Sequence, residues 1–285
     1  MASQYIDPDD GFILYEEDIA LLTGTNWCND RILHFGLKYA LSPKNLPENI
    51  PKLSPSSSSS SSFNTIDPIA LSYLNHLCES EEEKIQFGRD NNYHQKKNEK
   101  KTFFFLPVAN NSSSFSSSSH WSLLLFDTSS KTFLHFDSVE NSGNNYVAEK
   151  LAENISIAFG ISSAGVPFNM KFPSTPRQSN SYDCGVYVIL MAEVLADFLH
   201  SNLHPYDDDD TESNYHFKEA IEVDNYESSN NSNDSKKRKT SFSLITEEVI
   251  AEMEDLLREK VTPNAAKEYR KKLFSYFKSL LRPAT

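Results

Sequence analysis

The chain has 285 residues, of which 38% are hydrophobic and 24% are charged, and its formal net charge is −13. This length is enough for one large domain, but the hydrophobic share is low for a compact chain of this size, which predicts solvated insertions beside a core. The negative charge disfavours nucleic-acid binding and favours a basic partner, and no apolar run reaches the about 18 residues that a membrane-spanning helix needs.

Hydrophobic periodicity and turn signals predict seven elements. In chain order they are a helix over 27–40, strands over 101–108, 120–127 and 132–137, and helices over 146–159, 184–199 and from Pro263 onward. Asn29 or Asp30 starts the first helix, and Thr262 caps the last one. The helix over 184–199 is almost wholly apolar, so we expect it to be buried on most sides. Strands and helices alternate without a regular βαβ pattern, which favours an α+β fold.

Four segments have the composition of insertions in a single domain that spans 1–285. They lie at 54–62, 79–101, 109–119 and 205–240. The first and third are rich in serine, the second is dense in charge without apolar periodicity, and the fourth holds a block of aspartates. Such segments bury too little apolar surface to offset the entropy lost on ordering, so we expect them to be disordered.

The N-terminus and the cysteines bear on the compartment. The opening segment MASQYIDPDDGF is acidic and lacks the apolar stretch of a secretory signal. The three cysteines, Cys28, Cys78 and Cys184, are too few and too scattered for a disulfide framework or a Cys-x-x-Cys zinc site. We therefore expect an intracellular protein of the cytoplasm, the nucleus or both. The basic cluster at 236–239 is either a nuclear import signal or solvated charge.

The two strands over 120–127 and 132–137 bring a histidine and an acid together. If their turn centres on residues 129 and 130, opposed residues have numbers that sum to about 259, and His120 and Asp137 become diagonal neighbours. A carboxylate there can fix the tautomer of the imidazole and stabilise its protonated form. The alternative is an ordinary surface pair. By strand parity His135 lies on the same face as Asp137, which makes it a rival base.

Cys184 opens the long apolar helix directly after a polar turn. Unpaired backbone N–H groups at a helix N-terminus favour a thiolate, although a small cysteine that only fills the core is the alternative. Gly185 leaves room for a substrate backbone. Six residues before the cysteine, Gln178 is placed to donate a hydrogen bond to an oxyanion, or is simply a loop residue.

These residues form the order His, Asp, Gln, Cys, and the strings around them carry a resemblance. SHWSLLLFD, FLHFDS and QSNSYDCGVYV resemble the ubiquitin-like-protein-specific cysteine proteases, also called sentrin proteases. WCNDRIL matches that family's Trp-x-Asn-Asp segment, and VTPNAAKEYRKKL is similar to the closing helix of its deneddylase branch. The resemblance runs from about residue 18 to the end, apart from the insertions.

The resemblance implies a papain-like α+β fold in which the order of the catalytic residues is permuted. It makes Cys184 the nucleophile, His120 the base and Asp137 the orienting acid, with Gln178 and the Cys184 backbone N–H as the oxyanion hole. It implies no metal and no organic cofactor. The substrate-binding residues that it implies are Trp27, Asp30, Trp121, Asn180 and Gly185.

Within that set, Trp27 and Trp121 resemble the pair that sandwiches the Gly-Gly tail of a modifier, and Asp30 resembles an acid that meets a basic residue of the modifier. The implied activity is that of a deneddylase, which cleaves a Nedd/Rub-type modifier from substrates such as cullins and processes its precursor. The partners would be this modifier and its conjugates, bound by a monomer. SUMO is the alternative modifier. Two other classes stay open: an acyl-cysteine acetyltransferase that uses coenzyme A, and an inactive modifier-binding protein.

Overall fold

The computed structural model describes residues 3–8, 10–42, 63–93, 102–110, 120–161, 168–203 and 245–281. The strands are β1 (Gln4–Ile6), β2 (Ile13–Tyr15), β3 (Phe63–Thr65), β4 (Phe103–Ala109), β5 (Trp121–Asp127), β6 (Thr132–Phe136) and β7 (Asn169–Lys171). The helices are α1 (Glu16–Ala20), α2 (Asp30–Ala40), α3 (Pro68–His76), α4 (Glu81–Asp90), α5 (Asn144–Ala158), α6 (Cys184–Leu203), α7 (Glu247–Lys260) and α8 (Pro263–Leu280).

A five-stranded mixed sheet lies at the centre of the molecule. Its strand order is β3-β4-β5-β6-β7, with antiparallel pairs in the middle and a parallel pair at each edge. The strands β4 and β5 are continuous apolar runs because both of their faces are buried. A separate two-stranded hairpin, β1-β2, precedes the sheet in the chain.

Helices cover both faces of the sheet, which places the core in two layers. On one face α6 packs together with α2, α7 and α8, and the inward side chains of the sheet there include Leu123, Leu125 and Phe136. On the other face α3, α4 and α5 pack against alternating side chains such as Leu124 and Phe126. This arrangement confirms the predicted α+β fold.

The hairpin register agrees with the prediction from its turn. Leu123 pairs with Phe136 and Asp127 pairs with Thr132, as expected if the turn centres on residues 129 and 130. Asp127 holds this turn, because its carboxylate accepts hydrogen bonds from the backbone and side chain of Ser129 and from the Ser130 hydroxyl.

The helix α6 is a core helix. Within the described ranges it is the one helix whose length and apolar composition would suffice to cross a membrane, and 67% of that stretch is buried inside the protein. Its contacts with α2, β5, α7 and α8 account for the apolar sequence.

One predicted insertion is partly wrong. The segment 79–101 was expected to be disordered, but its first half forms α4. A capping box between Ser80 and Glu83 starts this helix, and Phe87 packs into the core below the sheet. The charged residues of α4 lie on its solvent side and outnumber its buried residues, so the sequence shows no clear apolar periodicity there. The segments 54–62, 111–119 and 205–240 lie outside the described residues, and Ala109 ends β4.

Candidate active site

The open end of the β5-β6 hairpin holds the predicted histidine and acid. His120 directly precedes β5, Asp137 directly follows β6, and His120 Nε2 lies 2.6 Å from Asp137 Oδ1. The two side chains are only 9% and 10% exposed. The structure therefore brings these two residues together, buried and in direct contact, as the register predicted.

The electrostatic setting makes His120 cationic at neutral pH. Burial alone would lower the pKa of His120, but hydrogen bonds and charges from Asp137 and Cys184 outweigh it and raise that pKa to about 9. Asp137 engages Nε2, and a side-chain hydrogen bond with Cys184 also acts on the ring. The imidazole thus links the acid to the cysteine sulfur.

Several donors keep Asp137 ionised in this buried place. Burial would raise the pKa of Asp137, yet its hydrogen bond with His120, the charge of His120 and the hydroxyl of Ser142 lower it. The backbone N–H of Val139 donates to Oδ1 at 2.9 Å, and Ser142 Oγ donates to Oδ2. Both carboxylate oxygens are therefore held.

The rival base His135 lies in a different environment. Its Nε2 lies 2.9 Å from Ser122 Oγ and its Nδ1 lies 3.0 Å from Asn145 Oδ1. Burial lowers the pKa of His135 to about 4, so its ring is neutral at physiological pH. Both of its nitrogens are occupied by neutral groups, which leaves His120 as the histidine that faces the cysteine.

Cys184 is the first residue of α6 and is 1% exposed. The preceding turn is built by Asn180, whose Oδ1 accepts from the backbone N–H groups of Tyr182 and Asp183 and whose Nδ2 donates to Asp183 Oδ2 at 2.7 Å. The Asp183 carbonyl then accepts the first helical hydrogen bond, from Tyr187. This turn fixes the sulfur at the helix N-terminus.

A buried arginine from the last helix secures the same turn. Arg270 of α8 donates through Nε to Asp183 Oδ1 at 2.7 Å, and both side chains are 7% exposed. Its Nη2 donates to the Tyr182 carbonyl at 3.1 Å and its Nη1 to the Leu21 carbonyl at 3.0 Å. Arg270 therefore ties α8 and the segment after α1 to the residue before the cysteine.

Gln178 lies in the loop between the acid and the cysteine. Its backbone N–H donates to the Ser138 carbonyl at 3.0 Å, and its side-chain Oε1 accepts from Ser138 Oγ at 2.8 Å. Its Nε2 donates to the Asn180 carbonyl at 2.5 Å. An amide nitrogen carries two hydrogens, and among the described residues the Nε2 of Gln178 has one acceptor, so its second hydrogen can serve a ligand.

An open cleft of about 620 Å³ lies beside these groups. Its walls come from the segment after Asp137, from the loop before Cys184, and from the rings of Trp27 and His120. The lining residues are Trp27, His120, Ser138, Val139, Glu140, Ser142, Arg177, Gln178, Ser179, Asn180 and Ser181. The cleft therefore opens onto the predicted base.

The two tryptophans occupy different positions. Trp27 is 45% exposed and lines the cleft, in an extended segment just before α2 rather than inside the predicted helix. Trp121 is 6% exposed, and its Nε1 donates to the Cys28 carbonyl at 2.9 Å. Trp121 packs into the core. Of the two tryptophans expected to sandwich the substrate tail, Trp27 therefore offers an exposed indole and Trp121 does not.

The remaining predicted substrate-binding residues fall into two groups. Asp30, at the start of α2, is half-buried, and none of its described neighbours forms an ion pair with it. The Asn180 side chain makes the hydrogen bonds of its own turn, and the residue also lines the cleft. The expectation for Gly185 is corrected: a Cβ there would lie 2.7 Å from Cys28 Cβ and 3.0 Å from Leu33 Cδ2. The missing side chain therefore makes room for the approach of α2 and the segment before it to α6.

The other two cysteines are packed thiols, and all three are free. Burial raises the pKa of Cys28 to about 12, and burial together with Glu83 raises the pKa of Cys78. Within the described ranges, no group of three or more histidine, cysteine, aspartate or glutamate side chains is placed to hold a metal ion.

Sequence reasoning missed Arg270 and Ser142. Arg270 had a detectable signal, because it stands beside Tyr269 and three residues before Leu273 on the predicted apolar stripe of the last helix. A charged residue on such a stripe requires a buried partner. Ser142 had no signal, since serine before a glycine is common in turns.

Comparisons with known proteins agree with this geometry. A family model described as the Ulp1 protease family, C-terminal catalytic domain, matches residues 51–227. Sentrin-specific protease 8 of Rattus norvegicus is 29% identical over 184 residues, which cover 64% of this chain and 75% of the relative. NEDD8-specific protease 1 of Arabidopsis thaliana is 34% identical over 82 residues, or 29% of this chain and 34% of the relative.

Solved structures share the fold. The Ulp1 protease domain in complex with Smt3, the yeast ortholog of SUMO, has a TM-score of 0.50 at 20% identity and covers 70% of this chain and 78% of its own. A de-sumoylating protease has a TM-score of 0.53 at 15% identity and covers 98% of this chain and 95% of its own. Because the family model matches more than half of the chain, the chain belongs to the Ulp1 protease family, and together with the sequence relatives this makes it a cysteine protease that acts on ubiquitin-like modifiers.

Proposed function

We propose that this protein is a deneddylase, which cleaves after the C-terminal Gly-Gly of a Nedd/Rub-type modifier. One observation carries the choice of modifier: the relatives matched by sequence are named sentrin-specific protease 8 and NEDD8-specific protease 1, and the first of these alignments spans 64% of the chain. The SUMO proteases among the solved structures share 20% identity or less in the two cases described above, which supports the fold and not the modifier.

The catalytic roles proposed for the site follow from its contacts. Cys184 is the nucleophile, because it begins α6 and its side chain forms a hydrogen bond with His120. His120 is the acid and base, since it is the cationic group next to that sulfur. Asp137 orients His120 and stabilises its charge through the 2.6 Å contact with Nε2.

The first half of the reaction forms a thioester. The thiolate of Cys184 attacks the carbonyl carbon of the modifier's terminal glycine, and the carbonyl π electrons move to oxygen. His120 donates its proton to the lysine nitrogen of the conjugate, or to the peptide nitrogen of a precursor, as the C–N bond breaks. The amine product leaves, and the modifier stays on the sulfur.

The second half hydrolyses that thioester. His120, now neutral, removes a proton from a water molecule while the water oxygen attacks the thioester carbonyl carbon. The C–S bond then breaks, so the sulfur leaves as thiolate beside a protonated His120, and the new carboxylic acid loses its proton to solvent. Both residues thereby return to the protonation states with which the cycle began.

Both tetrahedral intermediates carry an oxyanion that needs donors. The backbone N–H of Cys184 lies at the helix N-terminus, where amide hydrogens have no intrahelical acceptor. Gln178 lines the same cleft, and its Nε2 has a second hydrogen beyond the one given to Asn180. These two groups form the proposed oxyanion hole.

Recognition of the modifier is proposed to use Trp27 and Asp30. Trp27 offers an exposed indole on the cleft wall, against which a chain without side chains can lie flat, and this favours diglycine over bulkier tails. Asp30 is a charged side chain close to Trp27 in the chain. It and the net charge of −13 suit a basic surface on the modifier.

The deciding experiment compares fluorogenic conjugates of the two modifiers. We expect faster turnover of the Nedd/Rub-type conjugate than of the SUMO conjugate, and loss of both activities in Cys184→Ser. Faster turnover of the SUMO conjugate would overturn the choice of modifier.

A modifier with a C-terminal electrophile should label Cys184 covalently; binding without labelling would instead indicate an inactive binding protein. Acetyl transfer from coenzyme A without peptidase activity would indicate the acetyltransferase class.

A further inference from the structure

The proposed mechanism assigns no role to the contact between Ser142 and the acid. Ser142 donates through Oγ to Asp137 Oδ2, the oxygen that points away from His120. The same Oγ accepts a hydrogen bond from the backbone N–H of Asn144 at 3.1 Å. Because that N–H occupies a lone pair of the hydroxyl, it helps to direct the hydroxyl hydrogen toward the carboxylate.

This contact connects the acid with the start of a helix. Asn144 is the first residue of α5, and Gly143, with a φ of 84°, is its N-cap. The amides at a helix N-terminus carry partial positive charge, which favours a nearby anion. The Asp137 carboxylate therefore reaches the N-terminus of α5 through a single hydroxyl, while Cys184 lies at the N-terminus of α6.

We propose that Ser142 is a positioning residue for proteolysis, which holds the Asp137 carboxylate in the orientation that keeps its other oxygen on His120. This inference rests on the catalytic roles proposed above. It concerns a residue that is hydrogen-bonded to the acid and to the start of α5, and that is proposed to act through the acid.

The geometry explains why the position matters. The terminal torsion of an aspartate is broad, so a carboxylate held from one side can rotate. Asp137 Oδ1 carries the contacts with His120 Nε2 and with the Val139 N–H, and Oδ2 is held by Ser142. Without the hydroxyl, Oδ2 loses its side-chain donor. The carboxylate can then take several orientations, and the one with the 2.6 Å contact to His120 is only one of them.

The test compares Ser142→Ala with Ser142→Thr, which keeps a hydroxyl. Ser156→Ala is the control for loss of a serine hydroxyl, because Ser156 is a buried residue of α5 whose hydroxyl, among the described residues, donates to the Ala152 carbonyl and not to an acid. We expect Ser142→Ala to lower kcat by about tenfold to a hundredfold with KM unchanged, as for loss of a hydrogen bond to a charged group. We expect Ser142→Thr to recover most of the rate and Ser156→Ala to match the wild type.

An NMR titration of His120 supplies a readout that does not depend on the choice of modifier. A carboxylate that is less well held stabilises the imidazolium less, so the titration of His120 in Ser142→Ala should move to lower pH than in the wild type. A wild-type kcat and an unmoved titration in Ser142→Ala would overturn the proposal, as would a lower unfolding temperature with both unchanged. Failure of the wild type to cleave the Nedd/Rub-type conjugate would count against the proposed function and leave the titration comparison intact.

Discussion

Replacing Arg270 with methionine keeps the length of the side chain but removes the guanidinium that faces Asp183. The two side chains are 7% exposed, so the carboxylate of Asp183 would be left buried with the amide of Asn180 as its one side-chain partner among the described residues. Removal of one member of a buried ion pair costs about 3–5 kcal/mol. For a domain that is stable by about 5–15 kcal/mol, this is a large part of the total.

The assay is denaturant unfolding, with thermal unfolding as a second measure. A loss of this size should lower the unfolding midpoint of Arg270→Met by about 6 to 20 °C. Arg258→Met is the control: its ion pair with Asp255 is 65% and 75% exposed, and its loss should change the free energy of unfolding by no more than about 0.5 kcal/mol. The reasoning is refuted if Arg270→Met unfolds like the control.

Three more predictions follow from single distances and pKa values. Gly88→Ala should lower the free energy of unfolding by at least about 1–3 kcal/mol in denaturant titration, because the added Cβ would lie 1.7 Å from the Ala158 carbonyl oxygen and α4 would have to move off α5. Gln178→Ala should lower kcat by about 10²–10³ with little change in KM, as expected for loss of an oxyanion donor. Cleavage should fall as the pH rises through about 9, where His120 loses the proton that it gives to the leaving amine.

Each of these has an outcome that counts against it. Wild-type unfolding of Gly88→Ala would show that α4 does not contact α5 as described. A normal kcat in Gln178→Ala would remove it from the oxyanion hole. For His120 the pKa in the folded protein lies above its ordinary 6.5, so its contribution to stability is complete below pH 6.5 and is lost as the pH rises through about 9. His120→Gln should therefore show a flatter stability profile over that window, and an equally steep one would contradict the assigned pKa.

Local chemistry determined the parts of the fold that could be predicted. The register of β5 and β6 follows from a short turn and from period-2 alternation, and with it came the contact between His120 and Asp137. The helix that begins at Cys184 follows from its apolar run after a polar turn. The family resemblance was needed to choose between His120 and His135, which the register alone left open.

Long-range packing determined the rest. The capping box of α4 is visible in the sequence, but the charges around it masked a single buried face with Phe87. Two features depend on how closely α2 and the segment before it approach α6. They are the burial of Trp121 and the position of Gly185 against Cys28. The partner of Arg270 lies 87 residues earlier in the chain, beyond the reach of any local pattern.

That separation has a consequence during synthesis. The turn before the nucleophile receives its buried cation from α8, which a ribosome completes long after Cys184 has been made. A nascent chain that stops short of α8 holds an unneutralised aspartate beside its cysteine, so newly made molecules acquire a fully supported centre only when the last helix docks.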